Sequence, residues 1–174
     1  MDAPIKNSQF NNSHLLLDGL TSEEILNLII ENNENVFENK INLNREKLLT
    51  LIEIFRDRSK TLLKMCMHLN SICAVPTTYD SEYLDELIND NTAYHIEMLI
   101  KRLELSTIEW NEESVTELIK SFSKEFDIKI AYIAHIIRLS LIGKSDGPGM
   151  YKMLSMLDRD DVIKRLKKFR SYIL

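Results

Sequence analysis

The stretch that decides the fold is IKIAYIAHIIRLSLIG, residues 128–143. Its isoleucine content suits a strand as readily as a helix, because β-branched side chains favour a pleated surface. Two features favour a buried helix instead. The run is longer than an ordinary strand, and Gly143 stands where a helix end calls for a left-handed residue. With this stretch helical, no alternation or hairpin dipeptide elsewhere asks for a sheet, and the chain reads as all-α.

The neighbouring segments carry the same period. WNEESVTELIKSFSKEF (110–126) places Val115, Leu118, Ile119, Phe122 and Phe126 on one stripe, with Asn111 as a helix N-cap. Downstream, MYKMLSML (150–157) and DRDDVIKRLKKFRSYI (158–173) are helical; Asp158, Asp160 and Asp161 favour the positive end of the last helix dipole. Towards the N-terminus, TSEEILNLIIENN opens with Thr21 and Glu24 at the spacing of a capping box. NREKLLTLIEIFRDRSKTLLKMCMHLNSICA (44–74) has apolar residues at helical spacing, interrupted by the polar RDRSK at 56–60, so it predicts two helices rather than one. Pro76 and the turn formers Thr77, Thr78 and Asp80 then punctuate the chain. Short helices near 81–88 and 92–103 follow, and the asparagine-rich ENNENVFENKINLNRE (31–46) reads as a loop. The expected architecture is two packed helical subdomains, residues 1–80 with a lead-in segment and residues 81–174.

Composition narrows the function classes. The chain has 174 residues and 44% hydrophobic content, enough for a sizeable core. No uncharged apolar run is long enough to span a membrane, and the N-terminus lacks the apolar core and cleavage pattern of a signal peptide. Cys66 and Cys73 lie about 10 Å apart along a helix, too far for a disulfide, and read as small core residues in a reducing compartment, most simply a cytoplasm. Net charge is −5, but residues 144–174 hold eight Lys/Arg against four Asp/Glu, a basic end able to hold a phosphate backbone. No phosphate-binding glycine loop occurs, and Ser and Cys nucleophile signatures are missing. His14, His68, His95 and His135 are scattered, without a ligand one turn away. The chain carries no catalytic set of its own.

Three of the four glycines, Gly143, Gly147 and Gly149, fall between the two helical stretches, with Pro148 among them. On residue types this is a helix–helix corner, with Pro148 in the first turn of the next helix and Arg138 as a C-terminal dipole partner. Gly147 and Gly149 also leave backbone uncovered for a close approach.

Here the residues resemble a family. IIRLSLIGKSDGPGMYKMLSMLDRDDVIKRLKKF is similar to the C-terminal end of bacterial glutamyl-tRNA synthetases, class I aminoacyl-tRNA synthetases, where an arginine-bearing helix leads into "ALTG", a Ser/Thr-Pro-Gly-Leu loop and a final helix pair. LSTIEWNEESVTELIKSFSKEFDIKIAYIAHIIR, NREKLLTLIEIFRDRSKTLLKM and FNNSHLLLDGLTSEEILNLI resemble successive upstream parts of the same region, in the same order. The resemblance implies an anticodon-binding region of two α-helical subdomains, a monomer in the cytoplasm. It implies a parent enzyme that attaches glutamate to tRNA with ATP and Mg2+, through a catalytic domain whose "HIGH"-like and "KMSKS"-like motifs are not in this chain. Glutamate-accepting tRNA is the implied partner, with glutamine-accepting tRNA as a second candidate.

Carried over by residue, Arg138 matches the arginine before "ALTG", and Pro148, Gly149 and Met150 match Pro-Gly-Leu, which lies against the anticodon bases. Gly147 replaces the usual Ser or Thr and so lacks a hydroxyl for base discrimination; Asp158 stands where the family often has glycine. Arginine offers a planar fork to a base edge, and Met150 an apolar support to a base face. Arg56 and Arg58 match a basic upstream segment, and Lys144, Lys152, Lys164 and Lys168 are candidate phosphate contacts. A helical protein-interaction module that keeps the fold without binding tRNA is the alternative expectation.

Overall fold

A computed structural model describes residues 14–32, 44–145 and 147–174. The asparagine-rich segment expected as a loop lies mostly outside the described residues. Among those residues the chain forms α-helices, one 3-10 turn and no strand; an isolated antiparallel bridge pairs Leu16 with Thr61. The chain divides into two compact units, Met1–Ala74 and Val75–Leu174.

In the first unit, α1 (Ser22–Asn32), α2 (Arg45–Phe55) and α3 (Leu62–Cys73) pack pairwise. The expected capping box is formed. The Thr21 N–H donates to Glu24 Oε2 at 2.7 Å, and the Glu24 N–H donates to Thr21 Oγ1 at 3.3 Å. The Thr21 N–H, together with the Thr21 hydroxyl that donates to the same carboxylate oxygen at 2.8 Å, favours the ionised form and holds Glu24 below the usual carboxylate range. Asn44 caps α2 by accepting from the Lys47 N–H at 2.8 Å. The polar RDRSK segment is a real break: Arg56–Arg58 tighten into a 3-10 turn before Thr61 caps α3. Ile25, Leu26, Ile29, Leu51, Ile52, Phe55, Met65 and Leu69 fill the space between the helices. Cys66 and Cys73 are buried and not joined in a disulfide.

The second unit comprises α4 (Ser81–Leu87), α5 (Thr92–Leu105), α6 (Glu112–Glu125), α7 (Ile130–Ile142), α8 (Met150–Met156) and α9 (Arg159–Tyr172). The isoleucine-rich stretch is the helix α7, and it is nearly all core: Ile133, Ile136, Ile137, Leu139 and Leu141 are buried. It lies against α4, α6, α8 and α9. Asn111 caps α6, accepting from the Ser114 N–H at 2.9 Å.

Gly143 ends α7 in the left-handed conformation, φ 74°, its N–H bonded to the Leu139 carbonyl at 2.9 Å. A Cβ there would lie 2.6 Å from the Thr78 carbonyl oxygen, so backbone packing also requires glycine. The Gly143 carbonyl in turn accepts from the Asp80 N–H at 2.9 Å, which fastens the Pro76–Asp80 segment to this unit. The α8 helix begins where MYKMLSML does, and only the place of the proline differs from the sequence reading. Met150 is its first residue and Gly149 its N-cap, so Pro148 stands one position before the cap rather than in the first turn. The Pro148 carbonyl is thereby kept outside the helix and is bound by a side chain.

The arginines of the basic C-terminal segment are used for internal structure. Arg165, with no exposed surface, donates Nε–H to Asp161 Oδ2 at 2.9 Å and Nη1–H to the Leu141 carbonyl at the end of α7. Arg159 donates to the Ser106 and Ile108 carbonyls and lies 5.3 Å from the Trp110 ring centre. Trp110 donates to the Leu157 carbonyl at 2.8 Å. Arg170 binds the Ala93 carbonyl and Glu97. Arginine prefers such carbonyl-rich, half-buried positions because its five donors reach several acceptors at once. The local basic excess therefore overstates the charge available to a phosphate backbone.

Candidate nucleic-acid interface

The turn between α7 and α8 has a rigid base and an open rim. Arg138 leaves α7 one turn before its end, half-buried, and its Nε–H donates to the Pro148 carbonyl at 3.2 Å. No other hydrogen bond or ion pair is formed by Arg138 among the described residues. The guanidinium is held by one nitrogen, and its two terminal nitrogens have no partner among the described residues.

The two glycines of Gly-Pro-Gly differ. A Cβ on Gly149 would meet nothing within 4 Å, so the backbone is uncovered there. On Gly147 it would lie 2.9 Å from Ile142 Cδ1 and within 4 Å of Arg138 Cδ and Met153 Sδ. Gly147 therefore lets the loop close onto α7 instead of leaving backbone open, contrary to the sequence expectation. Pro148 is buried, and Met150 is 3% exposed within the apolar face that α8 shares through Met153 and Leu154. In this structure Met150 presents no free face to a base. Lys144 and Lys152 are exposed on either side of the loop, and Lys164 and Lys168 are exposed on α9.

Arg56 and Arg58 belong to the first unit and differ from Arg138. Arg56 donates to the Leu20 carbonyl at 2.5 Å, to Ser22 Oγ at 2.9 Å and to Glu53 at 3.4 Å. It ties the start of α1 to the end of α2. Arg58 is exposed.

One pair in the first unit resembles a nucleophile and its base: Ser59 Oγ lies 2.8 Å from His68 Nδ1. Ser59 is only 2% exposed, and Phe55 stacks on the imidazole with centroids 4.9 Å apart, so no substrate reaches the hydroxyl. The pair closes the 3-10 turn. No group of three His, Cys, Asp or Glu side chains placed to hold a metal occurs among the described residues. Nor is any described helix long and apolar enough to cross a membrane.

Sequence reasoning missed the aromatic pair beside Arg138. Tyr83 of α4 and His135 of α7 have nearly parallel rings, 15° apart, with centroids separated by 6.4 Å. The signal available was the spacing of His135 and Arg138, one helical turn apart on the side of α7 that is not fully buried.

Comparison with known proteins identifies the family and the fold. The family described as the anticodon binding domain matches residues 21–170. Glutamate–tRNA ligase 1 of Helicobacter pylori is 30% identical over 160 residues, covering 91% of this chain and 33% of the relative. Glutamate–tRNA ligase 2 of Ehrlichia chaffeensis is 31% identical over 169 residues, covering 93% of this chain and 34% of the relative. The chain thus spans about a third of the length of the curated relatives it matches. Among solved structures, a glutamate tRNA ligase from Elizabethkingia meningosepticum in complex with its amino acid has the same fold, with a TM-score of 0.78 at 19% identity over 89% of this chain and 30% of that one. The chain belongs to the anticodon-binding domain family, in the form found in glutamate–tRNA ligases.

Proposed function

We propose that this chain reads the anticodon loop of glutamate-accepting tRNA, with the α7–α8 turn as the reading surface. The observation that carries the proposal is Arg138, fixed through Nε by the Pro148 carbonyl with its terminal nitrogens uncommitted, next to the open backbone at Gly149. Unpaired loop bases present their Watson–Crick edges, which a planar, pre-oriented guanidinium suits. Lys144 and Lys152, exposed beside the loop, are placed for the flanking phosphates. Gly149 admits the RNA backbone at close range, and the Gly147 and Pro148 backbone supplies the loop's shape.

Within the intact enzyme, attachment of glutamate to tRNA with ATP and Mg2+ is assigned to a separate catalytic domain, the partner of this chain in cis. The working form is a cytoplasmic monomer. Glutamine-accepting tRNA is the related substrate against which selectivity is measured.

The test is binding of the chain to glutamate-accepting tRNA transcripts at two salt concentrations, with anticodon variants and Arg138→Ala alongside. The expected result is anticodon-dependent binding that weakens with salt and is about tenfold weaker in the variant. Binding indifferent to the anticodon, or absent at low salt from folded protein, overturns the reading and leaves a helical module that meets a protein partner.

A further inference from the structure

Neither Tyr83 nor His135 belongs to the buried core. Tyr83 is 38% exposed, although aromatic rings at helix–helix contacts are normally covered. It stands on α4 and leans over α7, its ring nearly parallel to the imidazole of His135. His135 Nδ1 is shielded from solvent and has no hydrogen-bond partner among the described residues. A covered nitrogen without a partner asks for an explanation beyond packing. One turn further along α7 is Arg138, so the aromatic pair lies next to the arginine fork.

The charge around the pair restricts its ligand. Glu82, Asp85 and Glu86 flank Tyr83 on α4, and all three are exposed. A phosphodiester brought here meets three carboxylates; an uncharged planar ring does not. We propose that Tyr83, backed by His135, is a stacking ledge for one unpaired base of the anticodon loop, next to the base whose edge Arg138 meets. The acidic α4 keeps the RNA backbone on the side of Lys144 and Lys152. This rests on the RNA reading above and adds to it a second base contact of a different chemistry. Stacking needs only a π-face, so the ledge adds affinity with little base selectivity.

The full chain is titrated with the anticodon stem-loop of a glutamate-accepting tRNA carrying 2-aminopurine at one loop position at a time. Binding is expected to quench the fluorescence at one position. Tyr83→Ala should abolish that quench and weaken binding about tenfold, the effect of one lost base stack. Tyr83→Phe should retain both, and the salt dependence should be the same for all three proteins because no phosphate contact is altered. Anticodon-dependent binding with the same quench in Tyr83→Ala overturns the ledge alone. Weaker binding by Tyr83→Ala without any position-specific quench in the unmodified protein also overturns it, leaving Tyr83 as a packing residue. If the unmodified chain does not bind the stem-loop, the RNA reading falls and the ledge falls with it.

Discussion

Arg56 and Arg138 occupy similar places in sequence, each near the C-terminal end of a helix that leads into a polar break. Their surroundings differ. Around Arg56 a backbone carbonyl, a hydroxyl and a carboxylate take the guanidinium on three sides. Around Arg138 one carbonyl takes one nitrogen and leaves the rest. An arginine becomes a structural clasp or a reading head according to how many acceptors the fold brings to it. That number depends on elements distant in sequence: Leu20 and Ser22 for Arg56, Pro148 for Arg138.

The strongest test of the clasp role is Arg165, the fully buried member of the set. Arg165→Ala should destabilise the second unit by about 3–5 kcal/mol, because it strands Asp161 and the Leu141 carbonyl and leaves a cavity; urea denaturation measures this. Gly143→Ala follows at about 2–3 kcal/mol, from a strained left-handed backbone and the contact with Thr78 O, again read from unfolding. The comparison itself is sharpened by parallel variants. Arg56→Ala should cost about 2 kcal/mol of stability. Arg138→Ala should cost about 1 kcal/mol of stability while weakening tRNA binding about tenfold, measured by titration at fixed salt. Equal stability losses with unchanged tRNA affinity would erase the distinction. Lys152→Ala should weaken binding less and lower the salt slope by about one counterion, whatever the anticodon.

The smallest effect concerns acid stability. The Thr21 backbone N–H, then its hydroxyl, hold the Glu24 carboxyl below its ordinary range in the folded protein. Its contribution is therefore present above the ordinary carboxylate range and is lost as pH falls through the lowered value. Glu24→Gln should flatten that acid limb of an unfolding-versus-pH curve by slightly lowering the neutral plateau while leaving the acid end unchanged.

The helices were legible because their signals are local. Asn111, Gly143 and the Thr21–Glu24 pair act within one turn of themselves, and each does what its position suggests. The place of Pro148 was less so, since proline suits both the first turn and the position before a cap. In the candidate site, Arg138 and the open Gly149 were found from the chain, whereas Met150 is buried and Gly147 closes on Ile142. Burial of Met150 follows from the way α8 packs on α6 and α7, which no local pattern encodes. The arginines of α9 were opaque for the same reason. Arg159 and Arg170 bind carbonyls at sequence separations of 53, 51 and 77 residues, so their charge looked available until the fold supplied acceptors.

The Arg138–Pro148 bond has one more consequence. The group that aims the guanidinium is a main-chain carbonyl, and every amino acid supplies one. Side chains along the turn can therefore drift, as Gly147 in place of a hydroxyl residue illustrates, without turning the arginine away. On the RNA reading proposed above, the rim of the loop can change what it contacts while the arginine keeps its aim, so new preferences can evolve here without first dismantling the old one.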